Sequence, residues 1–262
     1  MRNLIFANIT CLRKNKLFWA GIVLSMIYSA FLLVINYLEM TNSSETAIMQ
    51  LNWYFLSALS VAGIFCPIFS GWFIGTEYSD GTVRNKLIAG HKRSSIYSAN
   101  VFIIFLAECL VFVAASLVVF AVGVPLFGCH FLYPMQFVSY LVSGILMLGA
   151  FSGVFTFISM LASSKAAAVA ACMITYAILF AAANFLRITV FSYYGEMPLA
   201  SMSDETIRLV LVFLYDFLPT GQSSQISSGI LLHPYRFPLY AIVNIVLTTA
   251  CGLTIFKKKD LK

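Results

Sequence analysis

The stretch GTEYSDGTVRNKLIAGHKRSS, from Gly75 to Ser95, is a polar block between two long apolar segments. It holds one Glu, one Asp, two Arg, two Lys and one His, in a chain that is 61% hydrophobic and only 10% charged. Each flanking segment has about 20 apolar residues or more, which at 1.5 Å per residue matches a hydrocarbon core of roughly 30 Å. The block therefore predicts a short connection between two membrane-spanning helices.

The composition of the whole chain predicts a membrane protein. A mean hydropathy of +0.91 over 262 residues implies more apolar surface than one soluble core could bury. In lipid, each segment must satisfy its own backbone amides, so the apolar stretches are predicted as helices. We predict an all-α polytopic protein, with residues 1–262 forming a single transmembrane domain. Its six spans are expected at residues 17–38, 53–74, 96–126, 137–161, 166–186 and 237–256.

The region at residues 187–236 is predicted to contain small helices of its own, because long structureless loops are uncommon in compact proteins. Its segment Leu209–Leu218 is too short to cross a membrane and carries Asp216 close to Pro219. We therefore predict an interfacial or re-entrant helix, beginning near Asp204 and Glu205 and ending at LPTGQ. An interfacial helix of this kind would lie in the plane of the membrane surface, as amphipathic helices do.

The basic residues predict the orientation. With six spans both termini share one side, and that side holds 13 of the 16 Lys and Arg residues. The positive-inside rule makes this side the cytoplasm. The net charge of +6 is then a consequence of topology. Nucleic-acid binding is not expected, because no basic patch is interleaved with stacking aromatic residues.

Residues 1–16 are predicted to form an amphipathic helix at the cytoplasmic interface. A solvated lead-in to the first span is the alternative. The first span is longer than a signal-peptide core and lacks a clear small-x-small cleavage site, so it is expected to remain as an anchor. The apolar face of the amphipathic helix would consist of Leu4, Ile5, Ile9 and Leu12, with Arg2, Arg13, Lys14 and Lys16 at its ends.

Motifs for catalysis and metal binding are missing from the sequence. A phosphate-binding loop requires G-x-x-x-x-G-K-[ST], and the nearest spacing, GILMLGAF from Gly144, lacks the lysine and the hydroxyl. HExxH and GxSxG are also absent. Cys129 and His130 are adjacent, but two ligands do not make a metal site. We expect neither an enzyme nor a bound cofactor or metal.

The opening block is patterned as a short helix that projects from the membrane. Asp80 is predicted to cap it, and Gly90 to end it in a left-handed conformation. Val83, Leu87 and Ile88 are expected to share its apolar face. Such a helix could dock in a groove of a soluble partner, or it could float on anionic headgroups.

The pattern E-Y-x-x-G-T-x-R-N-K-L-x-x-G-x-x-R in this block resembles the cytoplasmic signature of ABC-2 type transporter permeases. The resemblance is to the small bacterial ones related to bacitracin and lantibiotic export or immunity, and it covers the whole chain. The usual Pro near the end of the signature is replaced by Gly90-His91. In that family residues 76–93 would form the coupling helix that sits in a cleft of a separate ATPase. The residues implied are Glu77, Tyr78, Asp80, Gly81, Thr82, Arg84, Asn85, Lys86, Leu87, Gly90 and Arg93.

The resemblance also implies the partners and the location. The chain would pair with a second permease subunit, identical or related, and with two copies of an ATP-binding cassette ATPase that hold the ATP and Mg²⁺. It would lie in the bacterial plasma membrane with both termini in the cytoplasm and export an amphipathic peptide, lipid or drug. Two other classes stay open: an ATPase-independent transporter or channel, although no inverted repeat is evident, and a non-transporting immunity or sensor protein.

A few polar and small residues inside the spans are also candidates for specific roles. Glu108 would cost about 2.5–3.5 kcal/mol if ionised in the membrane, so it is expected to face protein or water or to be protonated. It and Asn244 could line a substrate path, although a packing role is the alternative for Glu108. Asn184 and Asn244 are predicted to form hydrogen bonds between helices. The pairs Gly71/Gly75 and Gly149/Gly153 predict close helix contacts.

Overall fold

The computed structural model describes residues 2–42, 51–128, 134–194, 205–228 and 231–258, and all regular secondary structure in these ranges is helical. The predictions that involve Cys129, His130 and Asp204 concern residues outside these described ranges. The helices are α1 (Arg2–Lys14), α2 (Lys16–Asn42), α3 (Leu51–Ser79), α4 (Thr82–Ile88), α5 (Arg93–Val118), a π-helical turn (Val119–Gly123), α6 (Val124–Phe127), α7 (Pro134–Leu161), α8 (Lys165–Tyr194), α9 (Glu205–Phe217), α10 (Pro219–Ser228) and α11 (Phe237–Lys258).

Six helical segments in the described ranges are long and apolar enough to cross a membrane, which confirms the predicted class and number of spans. The third segment is continuous from α5 through the π-helical turn into α6. The second runs five residues past the predicted end and stops just before the turn at Gly81, whose left-handed φ of 67° does not continue the helix. The segments are Lys16–Thr41, Leu51–Ser79, Arg93–Phe127, Phe137–Leu161, Lys165–Phe191 and Phe237–Lys258.

Helix α3 is at the centre of the bundle and packs against α2, α5, α7, α8 and α10. The outer helices α2 and α8 expose apolar side chains such as Leu24, Phe31 and Ile178. In water such a surface would be strongly unfavourable, whereas hydrocarbon chains solvate it well. The distribution of apolar surface therefore fits a bundle that is surrounded by lipid.

Glycines allow α3 and α8 to approach backbone to backbone. A Cβ atom on Gly71 would lie 2.8 Å from Val169 Cα, and one on Gly75 would lie 2.9 Å from Lys165 Cα. Distances below 3.0 Å require something to move, and here the obstacle is backbone rather than a flexible side chain. The predicted close contact at this glycine pair is confirmed.

The second glycine pair lies in the contact between α7 and α11, where it faces side chains rather than backbone. A Cβ atom on Gly149 would meet the Ile245 side chain at 2.9 Å, and one on Gly153 would meet Thr248 Oγ1 at 2.5 Å. This helix pair is also closely packed along its length. Small residues thus fix two of the helix crossings, as the sequence predicts.

Helix α1 lies against α5 rather than apart from the bundle. Its predicted apolar face is confirmed, because Leu4 and Leu12 are buried and Ile5 and Ile9 are partly buried. A solvated lead-in would bury none of these side chains. The face that α1 was predicted to turn toward the membrane is therefore covered by protein.

The region before the last span contains one helix that the sequence analysis missed. Helix α9 ends at Phe217 as predicted, but Pro219 begins α10 instead of terminating the structure. Proline is favoured in the first turn of a helix, where its missing N–H would have had no partner. The LPTGQ sequence is therefore a junction between two helices.

Helix α10 enters the bundle although its sequence, PTGQSSQISS, is polar. Thr220 Oγ1 donates to Leu179 O of α8 at 2.9 Å, and Ser223 Oγ donates to Ser60 Oγ of α3 at 3.1 Å. Ser60 is nine residues from the start of α3, which is about 13 Å along the helix axis. The interfacial or re-entrant helix was predicted at Leu209–Leu218, which forms most of α9, whereas the helix that enters the bundle is the next one, α10.

Candidate functional site

The turn between α3 and α4 is made by Gly81 rather than by a capping aspartate. Gly81 has a φ of 67°, in the left-handed region, and occupies the N-cap position without a side-chain cap. Asp80 precedes the cap, and its Oδ1 accepts a hydrogen bond from Ser79 Oγ. The predicted capping role of Asp80 is wrong, because α3 extends to Ser79 and leaves only two residues for the turn.

The other end of α4 follows the prediction. Gly90 has a φ of 85°, its N–H donates to Leu87 O at 2.9 Å, and His91 N–H donates to Lys86 O at 3.1 Å. These two bonds define a Schellman motif, in which a left-handed residue just after the helix satisfies its last carbonyls. Helix α4 is therefore a short helix with a defined stop.

Helix α4 has an inner and an outer face. Val83 is buried and Leu87 packs against the core, whereas Ile88 is 76% exposed. The prediction that Ile88 shares the inner face is wrong: at 100° per residue, positions 83 and 87 are about 40° apart but 83 and 88 about 140°. Arg84 and Asn85 are exposed as well. We call Arg84, Asn85 and Ile88 the outer face of α4.

A closed ring of hydrogen bonds lies beneath α4. Lys86 Nζ pairs with Glu77 Oε1 and also donates to Asn8 Oδ1 at 3.0 Å. Asn8 Nδ2 donates to Asn100 Oδ1 at 2.7 Å, and Asn100 Nδ2 donates to Glu77 Oε2 at 2.9 Å. These four residues, called here the polar ring, come from four different helices: α1, α3, α4 and α5.

The polar ring is buried and its main charges are paired. Asn8 and Asn100 are 1% and 0% exposed, and the side chains of Glu77 and Lys86 are 8% and 11% exposed. Both carboxylate oxygens of Glu77 accept hydrogen bonds, and Lys86 has two acceptors. A satisfied network of this kind is rigid, because a shift of any member would leave a buried polar group unpaired.

Sequence reasoning selected Glu77 and Lys86 but missed the two asparagines. Asn8 interrupts the apolar face of α1, between Leu4 and Leu12 at spacings of four. A polar residue at the centre of an apolar face is a signal that it has a buried partner. The identity of that partner is not local information, since Asn8 and Asn100 are 92 residues apart.

Two further predicted residues bind the ends of other spans. Tyr78 Oη donates to Met160 O at the end of α7, at 3.0 Å. Arg93 Nη1 donates to Phe256 O and Lys257 O at the end of α11, at 3.1 and 3.3 Å. The ends of α7 and α11 are thus joined to the same side of the bundle as α4.

The predicted site residues fall into an inner and an outer group, with two residues between them. The inner group makes contacts inside the bundle and consists of Glu77, Tyr78, Lys86, Leu87 and Arg93. The outer group is exposed and consists of Asp80, Arg84, Asn85 and Gly90, and the residues of intermediate exposure are Gly81 and Thr82. The inner group fixes α4 to the spans. The outer group lies at the surface and makes no comparable contact with the spans.

The candidates inside the spans have mainly packing contacts. Asn244 Nδ2 donates to Phe217 O of α9 at 2.9 Å and to Tyr240 O at 3.0 Å, so it joins two helices as predicted. Asn184 Nδ2 donates instead to Phe180 O of its own helix at 2.9 Å, so the prediction of an interhelical bond is wrong for Asn184. Glu108 is fully buried and so faces protein.

A second polar network closes the opposite end of the bundle. Asp216 of α9 is 1% exposed, and its carboxylate accepts from Gln225 Nε2 of α10 at 2.9 Å. His233 Nδ1 lies 2.9 Å from the other carboxylate oxygen. Asp216 therefore joins α9, α10 and the segment that leads into α11.

Neighbouring contacts reinforce this network. Gln222 Nε2 donates to Asp216 O at 2.9 Å, and Tyr215 Oη donates to Ser224 Oγ at 3.3 Å. Burial raises the pKa of the Tyr215 phenol, so it stays protonated as a donor. From the sequence, Asp216 was only one reason to predict that Leu209–Leu218 does not cross the membrane.

Asp216→Asn is expected to loosen this end of the bundle. The carboxamide keeps the size of the side chain but removes the charge beside His233 Nδ1 and can place an NH₂ group against the Gln225 Nε2 donor. An unsatisfied buried group of this kind costs about 1–3 kcal/mol. We expect a lower midpoint of thermal unfolding in detergent and faster maleimide labelling of a Ser223→Cys reporter. Asp80→Asn, the same change at an exposed position, should have little effect. Equal effects of the two variants would contradict the role of Asp216.

In the part of the chain that the structure describes, no group of three or more His, Cys, Asp or Glu side chains could hold a metal ion. No protein-family model matches the chain, and no curated protein is significantly similar to it. Helix α4 combines an inner face that is fixed to the spans with an outer face that is exposed.

Proposed function

We propose that the chain is the permease subunit of an ATP-binding cassette exporter and that α4 is its coupling helix. The observation that carries this proposal is the contrast between the two faces of α4. Its inner face is held by Val83, Leu87 and the polar ring, and its outer face is exposed. A force applied to the outer face would reach α1, α3 and α5 directly.

The alternative of a helix that floats on headgroups is less consistent with these contacts. A helix at a lipid surface turns its apolar side toward the acyl chains. In α4, the apolar residues Val83 and Leu87 face the protein, and Lys86 is committed to Glu77 and Asn8. Only Ile88 remains as an exposed apolar side chain, flanked by Arg84 and Asn85. One apolar side chain within a polar surface suits docking to a protein.

The mechanism follows from rigid connections. Two permease subunits, identical or related, would each place α4 in a cleft of an ATPase subunit that binds ATP and Mg²⁺. Closure of the ATPases would push the α4 helices, and the polar ring would make α1, α3 and α5 move with them. The backbone contact of α3 with α8 would pass this movement on, and an amphipathic substrate would leave toward the outside. The basic end of the bundle, with both termini, would face the bacterial cytoplasm.

The test is purification of the tagged full-length chain from its native membrane in mild detergents, followed by mass spectrometry. We expect an ATP-binding cassette protein to accompany it. Arg84→Glu combined with Ile88→Asp should lower its recovery at least about tenfold, because a buried contact at an interface contributes about 1–2 kcal/mol or more. The polar ring is untouched by these changes, so folding should be preserved.

Arg187→Glu is the matched control, since it reverses an exposed charge at the opposite end of the bundle. It should leave recovery of the ATPase unchanged. Recovery of the chain alone from several mild detergents would contradict the proposal and favour an ATPase-independent transporter. If the ATPase is recovered equally with Arg84→Glu/Ile88→Asp and with Arg187→Glu, the outer face of α4 does not contact the ATPase.

A further inference from the structure

Glu108 is a buried carboxyl group in the middle of a span. It is 0% exposed and lies 15 residues beyond Arg93, which is about 22 Å along α5. Among the described residues, neither Glu108 Oε1 nor Oε2 has a hydrogen-bond partner of standard geometry. The carboxyl is therefore separated from water, and among the described residues only the weak thiol donor of Cys66 lies against it.

The titratable neighbours of Glu108 are thiols. The Cys66 thiol of α3 lies against the carboxyl, Cys109 follows Glu108 in α5, and Cys172 of α8 is near Cys66. None of these groups supplies a positive charge. A thiol is also a weak hydrogen-bond donor, so it offers little stabilisation to a carboxylate.

The other helices packed against this part of α5 bring no charge to the level of Glu108. Helix α7 has no charged residue between positions 134 and 161. Helix α3 carries its only charge at Glu77, 11 residues beyond Cys66. The charged residues of α4 and of its junction with α5 lie at the level of the polar ring. Helices α1, α2 and α11 carry charged residues only near their ends, at Arg2, Arg13, Lys14, Lys16, Glu39, Lys257 and Lys258.

An ionised carboxylate in this position would have neither water nor a cation, and such a group is strongly disfavoured relative to the neutral acid. We propose that Glu108 is a proton-binding site between α3 and α5, and that its carboxyl holds a proton in this conformation. When α3 and α5 separate far enough to admit water, the carboxyl O–H bond breaks and the proton passes to water. The carboxylate that remains is then solvated.

This proton makes the conformation sensitive to pH. The closed arrangement binds the proton more tightly than an arrangement in which Glu108 meets water. By linkage, acid favours the closed arrangement and alkali favours separation of α3 and α5. Glu108→Gln, which is neutral at every pH, should remove this dependence.

Infrared spectroscopy of the full-length chain in lipid vesicles tests the proposal directly. A protonated carboxyl has a C=O stretching band distinct from that of a carboxylate, and the band shifts in D₂O. At neutral pH we expect this band in the unaltered chain and in Asp80→Asn, but not in Glu108→Gln. Identical spectra in this region for the unaltered chain and Glu108→Gln would show an ionised Glu108 and overturn the proposal.

A second measurement needs no variant, so a folding defect in Glu108→Gln cannot obscure the result. Dicyclohexylcarbodiimide is an apolar reagent that enters membranes and reacts with protonated carboxyl groups. Mass spectrometry should find the adduct on Glu108 and none on Asp80, with less adduct as the pH is raised. An adduct on Glu108 whose yield does not fall as the pH is raised would contradict the proposal.

Discussion

Lys86→Met is expected to lower the free energy of unfolding by up to about 3–5 kcal/mol, which is the cost of removing one partner from a buried ion pair. The methionine fills a similar volume but leaves the Glu77 carboxylate buried with only Asn100 as a partner. Asn8 Oδ1 also loses its donor. Unfolding in mixed micelles of a mild detergent and sodium dodecyl sulfate, followed by circular dichroism, measures the change.

Two variants control this result. Arg84→Met removes a charge from the outer face of α4 and should change the free energy of unfolding by less than about 0.5 kcal/mol. Adding Glu77→Gln to Lys86→Met removes the unpaired charge and should recover most of the loss, since a pair and its neutral replacement are often similar in stability. If Lys86→Met costs no more than Arg84→Met, the polar ring does not hold α4 in place.

Gly75→Leu is the second change with a large expected effect. Its Cβ atom alone would lie 2.9 Å from Lys165 Cα, and the obstacle is the backbone of α8. The two helices must separate to admit the branched side chain, and overpacking of this kind costs about 1–3 kcal/mol, sometimes more. Gly71→Leu, one turn away against Val169 Cα, should behave alike. The same micelle titration measures both.

Ala20→Leu, an equally large side chain at an exposed position of α2, is the control and should be nearly neutral. If the proposed function is right, Gly75→Leu should also reduce substrate transport more than it reduces recovery of the ATPase. The reason is that α4 and its outer face remain intact while the contact of α3 with α8 is lost. An unchanged stability of Gly75→Leu would mean that α3 and α8 do not pack as closely as the structure indicates.

Local patterns in the sequence predicted local features well. The six spans follow from hydropathy, because each apolar stretch has to form a helix whatever its neighbours are. Gly90 was identifiable because a helix stop in the left-handed region favours glycine. Asp80 was assigned wrongly because α3 extends to Ser79 and leaves only two residues for the turn. Ile88 was assigned wrongly because a spacing of five residues places it about 140° around the helix from Val83. Pro219 was ambiguous, since proline is compatible with both the end and the start of a helix.

The sequence alone determined that this is an all-helical membrane protein with six spans, a glycine-mediated helix contact and a short polar helix between two spans. These properties depend on residues that are close together in the chain. Only the tertiary structure decided which polar groups meet. Asn8, Glu77, Lys86 and Asn100 form one ring because α1, α3, α4 and α5 converge at one end of the bundle. The burial of the polar helix α10 was likewise decided by the tertiary structure. Its partners Ser60 and Leu179 lie 163 and 41 residues away along the chain from the residues they bind.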